Sequence, residues 1–104
     1  MIRCTSREMG AHVAARREFR NSKASCYALW KGDRYVVWSY GVHWPLFVWT
    51  DGMWFGNKDT SSVTTGNHRN RCDPGGVCWV DKATLNAVLA RGAVALLHDA
   101  KEAA

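Results

Sequence analysis

Residues 26–55 read CYALWKGDRYVVWSYGVHWPLFVWTDGMWF, and this stretch decides the fold. It is dense in aromatic and β-branched side chains, which favour strands. Two turn signals divide it, at residues 31–33 and at Asp51-Gly52, and each has the length of a hairpin connection. Gly41 breaks the run between them, and Pro45 limits pairing where the next run begins. We therefore predict an antiparallel meander with strands over residues 26–30, 34–40, 46–50 and 53–55.

A helical pattern precedes the meander. Thr5 and Glu8 have the spacing of a capping box, in which each side chain satisfies a backbone N–H group of the first turn. The apolar positions that follow at near-helical spacing are Met9, Val13 and Phe19. We therefore predict one N-terminal helix that ends near residues 21–22.

A second helical pattern follows the meander. After a short apolar run at residues 77–80, Asp81 suits the N-cap of a helix and Gly92 suits its C-terminal end. The buried face of this helix would carry Leu85, Val88 and Leu89. Residues 94–97 favour one more short helix. Helices at both ends with strands between them predict the α+β class: an antiparallel β-meander of about four to five strands packed against an N-terminal helix and one or two C-terminal helices, in a single domain over residues 1–104.

The connection over residues 56–76 is polar and rich in Gly, Asn, Ser and Thr. Within it we predict a short strand at residues 62–64 and a turn of helix that Thr64 or Thr65 caps and that runs through His68. Residues 73–76 read as a turn. A connection of this length in a small domain is often functional.

Six tryptophans stand out in the composition, and five of them lie between residues 30 and 54. Large aromatic side chains dominate both protein cores and interfaces. We expect most of these rings to line a core face and one or two to be exposed for binding.

The formal net charge is +5, and most of it lies in residues 1–24, which hold six basic and two acidic side chains. The basic residues of this segment are Arg3, Arg7, Arg16, Arg17, Arg20 and Lys23. A basic segment can meet phosphate or an acidic protein surface, and it can equally be a solvated helix face. Both interpretations stay open at this point.

Two features of the sequence predict a cytoplasmic location. No window of about 18 apolar residues occurs, so we expect no membrane span. The N-terminal charges precede no apolar run, which argues against a secretory signal. Thiols stay reduced in the cytoplasm.

The four cysteines form no CxxC pair. The loop between Cys72 and Cys78 could bring their sulfurs together, and with His68 they could supply three zinc ligands. Zinc sites use tighter, repeated spacings. Buried free thiols are therefore the favoured interpretation, and we predict no metal and no cofactor.

Two clusters carry chemically active side chains, at residues 39–45 and 62–71. With an arginine to bind charge, His43 and His68 could exchange protons with a phosphodiester. No spacing fixes the distance between the two imidazoles, and the sequence has no P-loop, HExxH or GxSxG motif. The structural alternative is that both histidines hydrogen-bond loops onto the sheet.

A family resemblance rests on three segments: YVVWSYGVHWPL at residues 35–46, Trp54, and SVTTGNH at residues 62–68. Together they resemble a family of small phage and prophage proteins of unknown function. The similarity covers roughly residues 17–71 and leaves out the loop between Cys72 and Cys78. It implies a phage accessory protein in the cytoplasm of a bacterial host, and it carries no reaction.

These observations favour a non-enzymatic protein that acts by binding a host protein, as an anti-defence (anti-CRISPR-like) or host-takeover inhibitor. A mimic of DNA would be strongly acidic, whereas this chain is basic. The alternative is a nucleic-acid-binding module that uses the basic helix and an aromatic sheet, and a small two-histidine nuclease is a third hypothesis. The predicted partner-binding residues are Arg16, Arg17, Arg20, Tyr40, His43, Trp44, Thr65, His68, Arg69 and Arg71.

Overall fold

The structure is a computed structural model, and it describes residues 1–40, 44–60 and 62–96. Within these residues the strands are β1 (Ile2–Cys4), β2 (Phe19–Asn21), β3 (Cys26–Lys31), β4 (Arg34–Ser39), β5 (Pro45–Thr50), β6 (Met53–Asn57) and β7 (Val77–Val80). The helices are α1 (Met9–Ala14), α2 (Val63–Cys72) and α3 (Lys82–Arg91). The α+β class is confirmed.

All seven of these strands belong to one sheet, in which they lie side by side in the order of the sequence. Neighbours from β2 to β6 are antiparallel, and the prediction covered β3 to β6 of this set. The outer pairs, β1 with β2 and β6 with β7, are parallel. A parallel pair needs a crossover connection, and α1 and α2 lie in those two connections. The sheet is therefore mixed, and the predicted meander forms only its middle.

The helices cover the two faces of the sheet unequally. α1 and α2 contact each other on one face, which we call the helix-pair face. A Cβ atom on Gly10 would lie 2.8 Å from the carbonyl oxygen of Arg71, so the missing side chain lets the two helices approach. The other side of the sheet, the α3 face, packs α3 against β5 and β6.

Strand residues alternate between these two faces. In β4, Tyr35 and Val37 join the core of the helix-pair face, whereas Val36 and Trp38 join the core of the α3 face. All four side chains are buried. Both faces of the central strands are therefore covered, which accounts for the nearly continuous apolar run at residues 35–38.

Local signals account for the turns and the later helix ends. Asp51 and Gly52 both have positive φ values, 54° and 74°, as a type I′ hairpin turn requires. Ser62 caps α2 and Asp81 caps α3, because each side chain accepts a hydrogen bond from the backbone N–H three residues along. Gly92 follows α3 with a φ of 80°, as predicted.

Two predictions about the flanking segments were wrong. The N-terminal helix ends at Ala14, and Phe19 lies in β2 instead of on the helix. Residues 62–68, predicted as a short strand and one turn of helix, form the cap and the first part of α2, which continues to Cys72. A strand of three residues, such as β2, is too short to show the alternation of apolar and polar side chains that identifies a strand. The buried stripe of α2 consists of Thr65, His68 and Cys72, whose polarity conceals its helical spacing.

Candidate functional site

Four aromatic residues form one row across the helix-pair face. The sheet register pairs Trp30 with Tyr35, Tyr35 with Trp49, and Trp49 with Trp54. The row thus crosses β3 to β6, a width of about 14 Å at the usual strand spacing. Aromatic side chains that face each other across strands stabilise a sheet by their mutual contact.

The rings of this row touch edge to face. The centroids of Trp30 and Trp49 lie 6.0 Å apart at 82°, and those of Tyr35 and Trp54 lie 6.0 Å apart at 85°. Tyr35 is buried, Trp30 is 38% exposed, and Trp49 and Trp54 are half-buried. We call Trp30, Trp49 and Trp54 the tryptophan band. Its rings are partly available to a partner while their packing keeps them in fixed positions.

The aromatic row is hydrogen-bonded to the segment that connects α1 to β2. The indole Nε1 of Trp30 donates to the carbonyl of Arg16 at 3.1 Å, and the Tyr35 hydroxyl donates to the carbonyl of Arg17 at 2.6 Å. The backbone N–H of Trp30 donates to Glu18 Oε2 at 2.9 Å. Burial raises the pKa of Tyr35, so its hydroxyl remains a neutral donor.

Arg16 completes the band with a fixed cation. Its guanidinium lies 4.4 Å from the centroid of the Trp49 ring. Its φ is 54°, a conformation that costs a residue other than glycine roughly 1–2 kcal/mol. The backbone N–H of Arg16 donates to Val13 at 2.9 Å, and its carbonyl accepts from Trp30. These contacts offset the backbone cost and set the direction of the side chain.

A polar pocket of about 310 Å³ lies beside the edge strand β7. It is lined by Lys58, Arg69, Asn70, Asp73 and Trp79, and we call it the edge pocket. The guanidinium of Arg69 lies 5.7 Å from the centroid of the Trp79 ring. Trp79 also contacts Phe47, at 5.7 Å between centroids, and Phe47 contacts Trp54 of the band at 6.4 Å.

A buried histidine joins α2 to the sheet. His68 Nδ1 and Ser39 Oγ are hydrogen-bonded at 2.8 Å, and the exposed ring of Tyr40 lies 5.7 Å from the imidazole. Burial, and secondarily the charge of Arg71, lowers the pKa of His68. Ser39 is fully buried, so its hydroxyl is not accessible to a substrate. This pair fits the structural alternative for His68, and His43 lies outside the described residues.

The predicted partner-binding residues do not form one surface. Arg16 lies at the Trp49 end of β5, and Trp44 precedes the opposite end of that strand, where the Lys82 ammonium is 4.7 Å from its ring. Arg17 binds His12 through Nε at 3.0 Å. Arg20 is on the α3 face, because it alternates with the buried Phe19.

The second predicted cluster divides along α2. Thr65 is buried, and its hydroxyl and that of the Ser62 cap are hydrogen-bonded at 3.1 Å. Arg69 lines the edge pocket, whereas Arg71 is exposed beside α1. The structure therefore brings Arg69 to a cavity, His68 to the core, and Thr65 to a helix cap.

The tryptophan band was missed as a site, although the sequence contains a signal for it. Trp49 and Trp54 are equally distant from the centre of the Asp51-Gly52 turn, so counting outward from that turn predicts their cross-strand pair. The pair of Trp30 with Tyr35 follows only from the observed two-residue turn Gly32-Asp33, because the predicted turn at residues 31–33 is one residue too long. Nothing local joins Lys58, Asn70 and Trp79, because the edge pocket depends on parallel pairing of β7 with β6.

The structure does not bring together the three zinc ligands that Cys72, Cys78 and His68 could supply. Cys72 is buried on the helix-pair face, where its sulfur lies 3.8 Å from that of Cys26. Cys78 is exposed and alternates with Val77, which packs on that same face, so it points to the α3 face. Among the described residues no group of three His, Cys, Asp or Glu side chains is placed to hold a metal ion.

Comparisons with protein-family models, with curated proteins and with solved structures gave no match to this chain. The resemblance to phage proteins therefore stays a prediction. In the part of the chain that the structure describes, no helix has the length and apolar character needed to cross a bilayer.

Proposed function

We propose that this chain acts by binding a protein partner through the tryptophan band and Arg16. The single observation that carries the proposal is the row itself: three partly exposed tryptophans in register, with an arginine fixed over one of them. Tryptophan and arginine are the side chains most often found as anchors of protein interfaces.

Two further features support a protein partner. The hydrogen bonds to Arg16, Arg17 and Glu18 hold the band in place, so binding would cost little side-chain entropy. The surface also mixes charges, because Glu18 lies beside Trp30 while Arg16 lies over Trp49. A mixed surface of this kind suits a protein better than a polyanion.

The proposed setting follows from the phage resemblance. A phage protein in the cytoplasm of its host would find a host protein as its partner. We therefore propose inhibition of a host defence complex, as anti-CRISPR proteins do, or redirection of a host enzyme. The basic net charge of +5 suits a partner with an acidic surface.

The experiment is a pull-down from bacterial host lysate with three baits. These are the unaltered chain, the double variant Trp30→Ala/Arg16→Ala, and the control Val63→Ala, which truncates an exposed apolar side chain of α2 outside the band. We expect one protein enriched by the first and third baits and lost with the double variant. With the purified partner, the double variant should weaken binding by at least about 30-fold. Equal enrichment by all three baits would contradict the proposal.

Single-stranded nucleic acid is the second candidate, and the stacking of Arg16 on Trp49 favours it. Bases stack on both indole rings and guanidinium planes. Tryptophan fluorescence with a labelled oligonucleotide at low and moderate salt tests it, since affinity should fall steeply as salt rises. An affinity for the oligonucleotide that does not change with salt, or that the double variant retains in full, would exclude this function.

A further inference from the structure

The edge pocket lies between the residues that follow β6, the helix α2 and the edge strand β7. At about 310 Å³ it is near the lower end of the range for small-molecule sites. It therefore has room for one small ligand. Neither the tryptophan band nor the His68 contact with Ser39 includes any of its lining residues.

A fixed cation stands on one side of the edge pocket. Arg69 donates through Nη1 to the carbonyls of Asn57 at 3.3 Å and Lys58 at 2.9 Å. A guanidinium has five N–H donors in all, so these two bonds anchor the group and leave donors for a ligand. The exposed Lys58 adds a second positive charge. Such a pair suits a phosphate group.

An indole ring lies next to this cation, since the Arg69 guanidinium is 5.7 Å from the centroid of the Trp79 ring. Trp79 is 42% exposed, and a Cβ atom on Gly56 would lie only 2.8 Å from its Cζ3 atom. The ring therefore lies against the bare backbone of β6 and against Phe47. Packing fixes its orientation while much of its surface remains open to the pocket. A planar heteroaromatic ligand would stack on such a ring.

The remaining lining residues discriminate between ligands. Asp73 brings a negative charge, and its Oδ1 already accepts from the backbone N–H of Gly75 at 2.8 Å. A carboxylate repels a bare phosphate but accepts hydrogen bonds from sugar hydroxyls and base amino groups. The amide of Asn70 can both donate to a base edge and accept from it. The pocket thus combines a stacking ring, two cations and two groups that recognise hydrogen-bond patterns.

We infer that the edge pocket binds a nucleotide, with the base stacked on Trp79 and the phosphate held by Lys58 and Arg69. The ligand is either a free mononucleotide or the 5′-phosphorylated end of a single strand, since the two present the same groups. This inference goes beyond the proposed protein interface, because it uses none of the residues of the tryptophan band.

The test is calorimetric titration of the full chain with the four common ribonucleoside 5′-monophosphates. Further arms use inorganic phosphate and a tetranucleotide with and without its 5′-phosphate. Trp79→Ala should weaken mononucleotide binding by at least about fivefold, which is the lower end of base stacking, and Lys58→Ala by about tenfold. The control Lys23→Ala removes an exposed lysine elsewhere, and Val63→Ala removes an exposed apolar side chain, and both should leave the Kd unchanged.

Each arm has a defined consequence. If the tetranucleotide with a 5′-phosphate binds more tightly than the mononucleotides, the ligand is a strand end. If the two bind equally tightly, the ligand is the free nucleotide. Inorganic phosphate that binds as tightly as any nucleotide overturns the inference, as does the absence of nucleotide binding at millimolar concentration. If Trp79→Ala does not fold, the comparison of Lys58→Ala with Lys23→Ala decides. Neither Trp79→Ala nor Lys58→Ala alters the tryptophan band, so the pull-down result is independent of the nucleotide titration.

Discussion

Arg16 shows how one residue links backbone strain to a binding surface. Its left-handed backbone turns the chain from α1 toward β2, and its carbonyl and guanidinium then contact Trp30 and Trp49. A glycine would take the same conformation without strain. An arginine in its place indicates that the side chain over Trp49 contributes something that a glycine would not.

Arg16→Gly should therefore be more stable than Arg16→Ala. Both variants lose the contact with Trp49, but only alanine keeps the cost of positive φ, so the free energies of unfolding should differ by about 1 kcal/mol. Urea unfolding at neutral pH measures the difference. The matched pair is Arg17→Gly and Arg17→Ala, at a residue without positive φ. There glycine should be the less stable, and the same order at both positions would contradict the argument.

His68 should make the stability of the protein depend on pH. Because burial lowers its pKa in the folded state, the unfolded chain binds more protons than the folded chain as the pH falls below the ordinary histidine value of about 6.5. The free energy of unfolding should thus decrease from pH 7.5 to pH 5.5. Urea midpoints at the two values measure the loss.

The control for this prediction replaces a different histidine. His68→Asn should reduce the decrease between the two pH values, whereas His12→Gln, a replacement of a half-buried histidine on α1, should retain it. A wild-type midpoint that does not change with pH, or a decrease that persists in full in His68→Asn, would show that the protonation of His68 is not linked to folding.

At the scale of elements, the sequence predicted the strands and helices whose limits depend on local signals such as turns and caps. The hairpins of β3 with β4 and β5 with β6 have turn residues that fix their register, and α3 has both a cap and a stop. The parallel pairs at the two edges have no such signal, because their partners are brought together by a crossover. The candidate site follows the same division. The tryptophan band lies within the hairpins, whereas the edge pocket needs the crossover through α2.

The contact between the two crossover helices gives a test of this missed architecture. Gly10 and Gly66 lie inside α1 and α2, and alanine is the better helix former by about 1 kcal/mol. At Gly66 the nearest atom to an added Cβ is 3.8 Å away, but at Gly10 it is the Arg71 carbonyl oxygen at 2.8 Å. Gly66→Ala should therefore raise the free energy of unfolding, and Gly10→Ala should lower it by about 1–3 kcal/mol. Thermal unfolding of both variants decides, and a stabilised Gly10→Ala would mean that α1 and α2 do not touch there.

In the molecule as a whole, the sheet separates two hydrophobic cores, and the three buried cysteines all lie in one of them. Cys4, Cys26 and Cys72 are buried on the helix-pair face, and Cys78 is exposed on the α3 side of β7. The contact with Cys72 and burial raise the pKa of the Cys26 thiol, and burial raises that of Cys4. The thiolate is the nucleophile that attacks a thiol reagent, so a raised pKa and burial both slow labelling of the buried residues.

The native protein should therefore react rapidly at one thiol and slowly at three. Mass spectrometry after a short exposure to iodoacetamide should show a single adduct on Cys78, and four adducts should appear once the chain is unfolded in urea. Cys78→Ser should abolish the fast phase and leave the slow one, because opening of the helix-pair core limits the other three thiols. Rapid labelling of Cys26 or Cys72 in the native state would show that α1 and α2 do not close that face, and the tryptophan band would then lose the packed support that holds its rings in register.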